Sequence, residues 1–331
     1  MAHDATLASR ASNETSGYVL AAVGAILFSM KAIFVKLAYG GIGAPEVGAI
    51  TLLALRMAFS VPVYLAVGAV AWRGRLREGR PLPTAYQAVA AVLVGILGYY
   101  GASYLDFEGL VYLTAQFERL ILFTYPFFVM LLGALFFAGQ VTGWGALSLL
   151  LAYAGISVIF LEGAIAKGDH AVLGAVFVLG AAFCFALYQL LAKSLITRMG
   201  SRIFTCIAMT GASAAVLLHF MAESSVSVLF DVPARIVSLA ALLAIISTVL
   251  PSFMLNAALD RVGPQAVSVL GTLSPAATIV MAIIFLGEPF TPADAAGTLL
   301  VMAGVGLFTW RDALQKEKAR QAAGLASREV V

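Results

Sequence analysis

Charge is what this sequence has least of. Only 11% of its 331 residues are Asp, Glu, Lys or Arg, while apolar residues make up 62%. Soluble domains carry about 25% charged and about 45–50% apolar residues, so water is not the solvent for most of this chain. Histidine is scarce as well. His3, His170 and His219 are scattered, without the His-Glu-x-x-His spacing of a zinc hydrolase. Cys184 and Cys206 sit apart in apolar runs, giving neither a disulfide framework nor a metal-ligand set. No glycine-rich phosphate loop precedes a lysine, and no loop is long enough for a nucleotide domain, which excludes an ATP-driven pump. Neither a cofactor nor a metal nor a nucleic-acid partner is expected, and enzyme readings have little to stand on.

What is present is apolar sequence in long runs. A bilayer core of about 30 Å takes about 20 residues of helix, and unpaired backbone groups cannot face lipid, so each run is expected to be helical. The pattern predicts an all-α membrane protein with ten spans, at 17–38, 45–71, 84–107, 113–138, 142–161, 171–196, 202–222, 234–259, 264–288 and 292–311. Residues 1–16 read as a disordered polar tail and 312–331 as a basic cytoplasmic tail. The first run lacks a basic lead-in and a small-residue cleavage site, so it reads as a retained helix. With the N-terminus inside, fourteen Lys and Arg fall in cytoplasmic segments against Lys167 and Arg235 outside. Trp72, Trp144 and Trp310 then fall at cytoplasmic ends, where interfacial tryptophan is at home. Both termini are therefore expected in the cytoplasm of a cell whose inner membrane holds the chain.

The chain is also written twice. A shift of 149 positions superposes Gln116 on Gln265, Pro126 on Pro275, Phe136 on Phe285, Thr142 on Thr291 and Ala154-Gly155 on Ala303-Gly304. A shift of 157 superposes Gly17, Phe28 and Lys36 on Gly174, Phe185 and Lys193. Five spans per copy is an odd number, so the copies (17–161 and 171–311) must face opposite ways. Inverted repeats of this kind place a substrate site between the halves. Matched prolines in the fourth and ninth spans are expected hinges, because proline opens the backbone ladder.

The stretch Ser274-Pro275 through Leu286-Gly287-Glu288-Pro289-Phe290-Thr291, leading into Ala303-Gly304-Val305, resembles the drug/metabolite transporter superfamily, EamA type. The resemblance covers about Gly17 to Trp310 and implies export or exchange of small polar metabolites. The first half departs from it, with Ala138-Gly139 where Gly-Glu would fall and Phe117-Glu118-Arg119 in its fourth span. Arg56 resembles an arginine often seen in the family's second helix, a position that favours packing or gating.

Charges inside the spans carry the remaining information, since each costs about 2.5–3.5 kcal/mol or more at mid-bilayer. Lys31, Arg56, Glu118 and Arg119 lie deep in spans one, two and four, whereas spans six to ten hold charge only near their ends. Adjacent helical residues point about 100° apart, so Glu118 and Arg119 are expected to meet different helices, Glu118 with Lys31 or Arg56. Structural ion pairing and a proton-coupling carboxylate at Glu118 are both open. Asp106 and Glu108 are expected at an outer vestibule. Tyr99, Tyr100, Tyr104, Tyr188 and Gln189 could line a central cavity, with Gln116 and Gln265 at helix ends. Three deep positive charges against one negative favour an anionic or zwitterionic, amino-acid-like substrate. The expectation is a secondary transporter in the lipid bilayer, able to work as a monomer and coupled to protons. An uncoupled facilitator or channel is the alternative, and an intramembrane enzyme a more distant one.

Overall fold

A computed structural model describes residues 2–41, 45–136, 143–167, 170–271 and 273–326. Among them every regular element is a helix. In chain order these are α1 (Ala2–Tyr39), α2 (Ala49–Arg77), α3 (Ala85–Gly95), α4 (Ala102–Tyr112), α5 (Ala115–Leu122), α6 (Tyr125–Phe136), α7 (Gly143–Lys167), α8 (Ala171–Met199), α9 (Ser201–Glu223), α10 (Val228–Asp231), α11 (Ala234–Ala244), α12 (Leu250–Gly271), α13 (Leu273–Met281) and α14 (Pro292–Ala326). Three π-helical segments, Ile96–Gly101, Ile245–Val249 and Ala282–Leu286, adjoin α3, α11 and α13. Seven stretches among the described residues are long and apolar enough to cross a membrane, from Thr15–Tyr39 to Ala234–Leu255, with a shorter apolar helix at Leu273–Leu286.

Local sequence explains where helices begin and end. Thr84 and Gln87 form a reciprocal capping box at α3, and Thr291 with Asp294 does the same at α14, where Pro292 takes the first helical position. Gly200, at φ +77°, turns α8 sharply into α9. The tail expected to be disordered through Ser16 is instead helical from Ala2. Once the apolar span has nucleated a helix, extending it outward fixes only one residue per hydrogen bond.

The chain at Pro126 differs from an unbroken helix with an internal kink. α5 ends at Leu122 and α6 starts at Tyr125. Pro126 therefore lies in the first turn of a new helix, where the missing N–H has no partner to lose. At the expected counterpart, Pro275 follows residue 272, which lies outside the described residues. The loop expected at 260–263 is helical within α12, since one proline removes only one ladder bond and can be accommodated by a bend. Two π segments also match across the repeat, Ile245 lying 149 positions beyond Ile96.

Helix pairing follows the same exchange. α2 packs on α9 and α7 on α14, while α1 lies against α11, α12 and α13 as α8 lies against α3, α4, α5 and α6. The duplicated Ala-Gly pairs make the α7–α14 contact. A Cβ on Gly155 would collide with the Gly297 carbonyl, and one on Gly304 would stand 2.6 Å from the Ser148 carbonyl. Small residues let two membrane helices approach backbone to backbone. The Ala138-Gly139 departure, Thr142 and residues 327–331 lie outside the described residues.

Candidate functional site

Three helices bring four ionisable side chains into one dry cluster. Lys31 of α1 lies 2.6 Å from Asp106 Oδ2 of α4 and 3.9 Å from Glu118 Oε1 of α5. Arg119 Nε is 3.9 Å from Glu118 Oε2. Their side chains are between 0 and 6% exposed, so solvent screens none of these interactions. The Asp106 and Glu118 carboxyl groups share Lys31 as their common cation, and among the described residues neither accepts a geometric hydrogen bond. Both cations sit over the Phe28 ring, Lys31 at 5.5 Å and Arg119 at 5.6 Å from its centroid, within cation–π range.

The expected contact between Glu118 and Lys31 is present. Asp106 is a correction: it is 1% exposed and belongs to this cluster, not to an outer vestibule. Residues two apart on a helix point about 200° apart, so Asp106 and Glu108 cannot share surroundings. Glu108 is half-buried one helical turn from Tyr104, whose ring meets His219 edge-on at 5.1 Å. His219 in turn bridges the Tyr100 hydroxyl and Glu223, each at 2.9 Å. Tyr100 and Tyr104 thus join a separate group between α4 and α9, where the sequence suggested a shared cavity lining.

Arg56 stands next to the ion cluster but outside it. It is 3% exposed, donates from Nη2 to Ser103 Oγ at 3.1 Å, and lies 5.0 Å from the Phe107 ring centroid. Beyond it runs a belt of hydroxyls. Tyr64 is within electrostatic range of Arg56 and bonds Ser252 Oγ at 3.0 Å; Tyr99 and Tyr188 share a hydrogen bond of 2.8 Å. Gln189 follows Tyr188 on α8 and is partly buried. Tyr99 comes from the π segment Ile96–Gly101, and the matching segment Ile245–Val249 holds Ser247, buried and without a hydrogen-bond partner. Single-turn π distortions recur at functional sites because they redirect side chains and free backbone groups.

Sequence reasoning missed Tyr64, Ser252, Ser103 and the reach of Glu288. Tyr64 was findable, lying eight residues along the α2 stripe from Arg56. Glu288 was placed in a family turn, yet its carboxylate accepts the Ala115 and Gln116 backbone N–H groups at 2.7 and 3.2 Å, while Gln116 Nε2 donates to the Pro289 carbonyl. Gln116 is accordingly a helix-end tie between α5 and the segment after α13; the side chain of Gln265 is outside the described residues. A hollow of about 380 Å³ bordered by Phe117, Ile121, Tyr153 and Leu179 lies beside α5, α7 and α8, not at the charged cluster.

A multi-pass helical bundle with dry ionisable groups in its interior is the construction of a membrane transporter. The EamA-like transporter family model matches this chain twice, over residues 15–161 and 172–310, and the chain belongs to that family, within the drug/metabolite transporter superfamily. It is 26% identical over 277 residues to the uncharacterized transporter YcbK of Bacillus subtilis (strain 168), covering 82% of this chain and 86% of YcbK. Identity to the uncharacterized transporter YyaM of the same organism is 23% over 223 residues, 66% of this chain and 72% of YyaM. A solved crystal structure shares the fold at a TM-score of 0.61 and 19% identity, covering 89% of this chain and 97% of its own.

Proposed function

We propose that this protein is a proton-coupled secondary transporter of the inner membrane, exporting or exchanging a small polar metabolite by alternating access. The observation that carries the proposal is the carboxyl pair of Asp106 and Glu118 held between Lys31 and Arg119. Two carboxylates gathered around one lysine in a dry interior cannot both ionise cheaply, whereas the nearby cations favour ionisation. Such a pair can take up and release one proton as its access to water changes sides.

The machine around it has ten spans in two inverted repeats, 17–161 and 171–311, with both termini cytoplasmic. Support comes from the double family match and from the helix pairing, which is preserved when the halves are exchanged. Pro126, where the helix is interrupted, and Pro275 are the hinges about which one half rocks against the other. The orientation rests on the lysine and arginine bias. In it the ion cluster lies toward the outer face and the tyrosine belt toward the cytoplasm. One chain supplies both halves, so a monomer suffices. No catalytic role is assigned to any residue.

Purified protein in liposomes tests this. A carrier exchanges labelled for unlabelled substrate against no net gradient, and a channel does not. Glu118→Gln and Asp106→Asn are expected to abolish uphill transport driven by a proton gradient while leaving exchange measurable. Uphill transport unchanged in both variants would remove the coupling role, and absence of exchange in the wild type would favour the channel.

A further inference from the structure

We infer that Arg56 is the seat of the substrate's negative charge, so that the transported solute carries one carboxylate or equivalent anionic group. The inference rests on the transporter reading above and sharpens it to a substrate class. Of the four buried cations among the described residues, Lys36 donates to the Gly41 and Leu110 carbonyls at the end of α1, Lys31 is taken by Asp106 at 2.6 Å, and Arg119 has Glu118 beside it at 3.9 Å. Arg56 has no carboxylate within ion-pair distance among the described residues, and its Nε has no partner. A hydroxyl and an aromatic face cannot neutralise it. Asp106 acts on it only from beyond ion-pair distance; a charge in a dry interior without a close counter-ion is strongly unfavourable, and it persists in a transporter where an anion visits it.

The chemistry of Arg56 narrows what that anion is. The hydrogen bond to Ser103 uses one of five guanidinium N–H groups, leaving the fork available for a carboxylate, which accepts two in parallel. Beyond Arg56 the lining is hydroxyl and aromatic: Tyr64 with Ser252, then Tyr99 with Tyr188. A second anionic group would find no unpaired cation there. The ammonium of a zwitterion would find hydroxyl oxygens that accept its protons.

The test is thermal unfolding of the purified full-length protein with matched probes: propionate and phenylacetate, their amides, propylamine and phenethylamine, and the zwitterions alanine and phenylalanine. Binding to the folded state raises the midpoint by mass action. At least one carboxylate or zwitterion is expected to raise it, with amides and amines inert at equal concentration. Arg56→Met is expected to weaken that binding by at least about tenfold and to unfold at a higher temperature than wild type without ligand, because an apolar chain replaces an unpaired charge. A purely structural arginine would give the opposite sign. Should Arg56→Met not fold, Arg56→Lys keeps the charge without the fork, and weaker carboxylate binding is expected there too.

Stabilisation by amines or amides, stabilisation by no probe, or undiminished carboxylate binding in the folded variant overturns the assignment. Liposome exchange of whichever probe binds separates the two readings. Exchange of an amine or amide leaves the transporter standing and removes Arg56's role. A bound carboxylate that is never exchanged preserves the site and removes the transporter.

Discussion

Glu288→Gln is a near-isosteric change that strips one charge from a contact between the two halves. Helix α5 begins with N–H groups that have no intrahelical partner. Thr114 Oγ1 accepts from Phe117 at 3.3 Å, and the Glu288 carboxylate accepts from Ala115 at 2.7 Å and Gln116 at 3.2 Å. Glutamine offers one oxygen in place of two, and its NH2 would face a backbone donor. The loss of a charge-assisted bond and of a negative charge at a helix N-terminus comes to about 2 kcal/mol. Partial exposure lets water replace some of it, leaving about 1–2 kcal/mol. The unfolding midpoint in detergent should fall by about 2–6 °C, and the Ala115 and Gln116 amides should exchange faster with solvent deuterium. Glu288→Ala should cost at least as much. An unchanged midpoint together with unchanged exchange at both amides would mean that the carboxylate does not hold the start of α5.

Lys31→Met removes the 2.6 Å partner of a buried carboxylate, which should destabilise by about 3–5 kcal/mol. Adding Asp106→Asn should restore most of the lost unfolding midpoint, and a double variant no better than the single would deny the pairing. Gly304→Val puts a side chain where a Cβ would already stand 2.6 Å from the Ser148 carbonyl and 2.8 Å from the Ala152 nitrogen. It should cost about 1–3 kcal/mol and separate α7 from α14, read as a longer spin-label distance between them; an unchanged distance and midpoint would count against backbone contact there. Tyr99→Phe leaves the Tyr188 hydroxyl without its 2.8 Å partner, a loss of about 1–2 kcal/mol. Changing both tyrosines to phenylalanine should cost less than the two single losses added together, and strict additivity would show that the hydroxyls do not bond.

Apolar periodicity made the helical bundle legible, because length and hydropathy of a span are set by the bilayer and not by its neighbours. The family was legible from Ser274-Pro275 through Thr291 and from Ala303-Gly304. Backbone continuity was not. The interruption after Leu122, and the helix running through 260–263, depend on how each proline is accommodated by its neighbours. At the site, the burial of Lys31, Glu118 and Arg119 followed from their place within spans. The role of Asp106 did not, because a residue near a helix end can face either way, and only the packing of α4 against α1 and α5 decides it. Glu288 was missed for a related reason: its partners are backbone N–H groups 172 and 173 residues away, which have no sequence signature.

The equivalence of the halves can be pressed one step further at Lys31. The shift of 157 that carries Phe28 onto Phe185 also carries Lys31 onto Tyr188. Each pair is three residues apart on one helix face, and each is in contact: Lys31 lies over the Phe28 ring at 5.5 Å, and Tyr188 stacks on Phe185 at 5.8 Å. The same face of α1 and of α8 therefore carries a polar group resting on a phenylalanine, charged in one half and a hydroxyl in the other. Each then bonds a group from the third span, Asp106 for Lys31 and Tyr99 for Tyr188. If the halves exchange conformations as the substrate site turns from one side to the other, the two faces of the membrane are not closed by equal interactions. A buried ion pair changes strongly with protonation, and a tyrosine pair does not at neutral pH. Tyr188→Lys should bring a second titrating group into the hydroxyl belt and make unfolding more pH-sensitive, whereas Lys31→Tyr with Asp106→Asn should make it less so. Stability profiles against pH that overlay for wild type and both variants would mean that the asymmetry between Lys31 and Tyr188 has no energetic consequence.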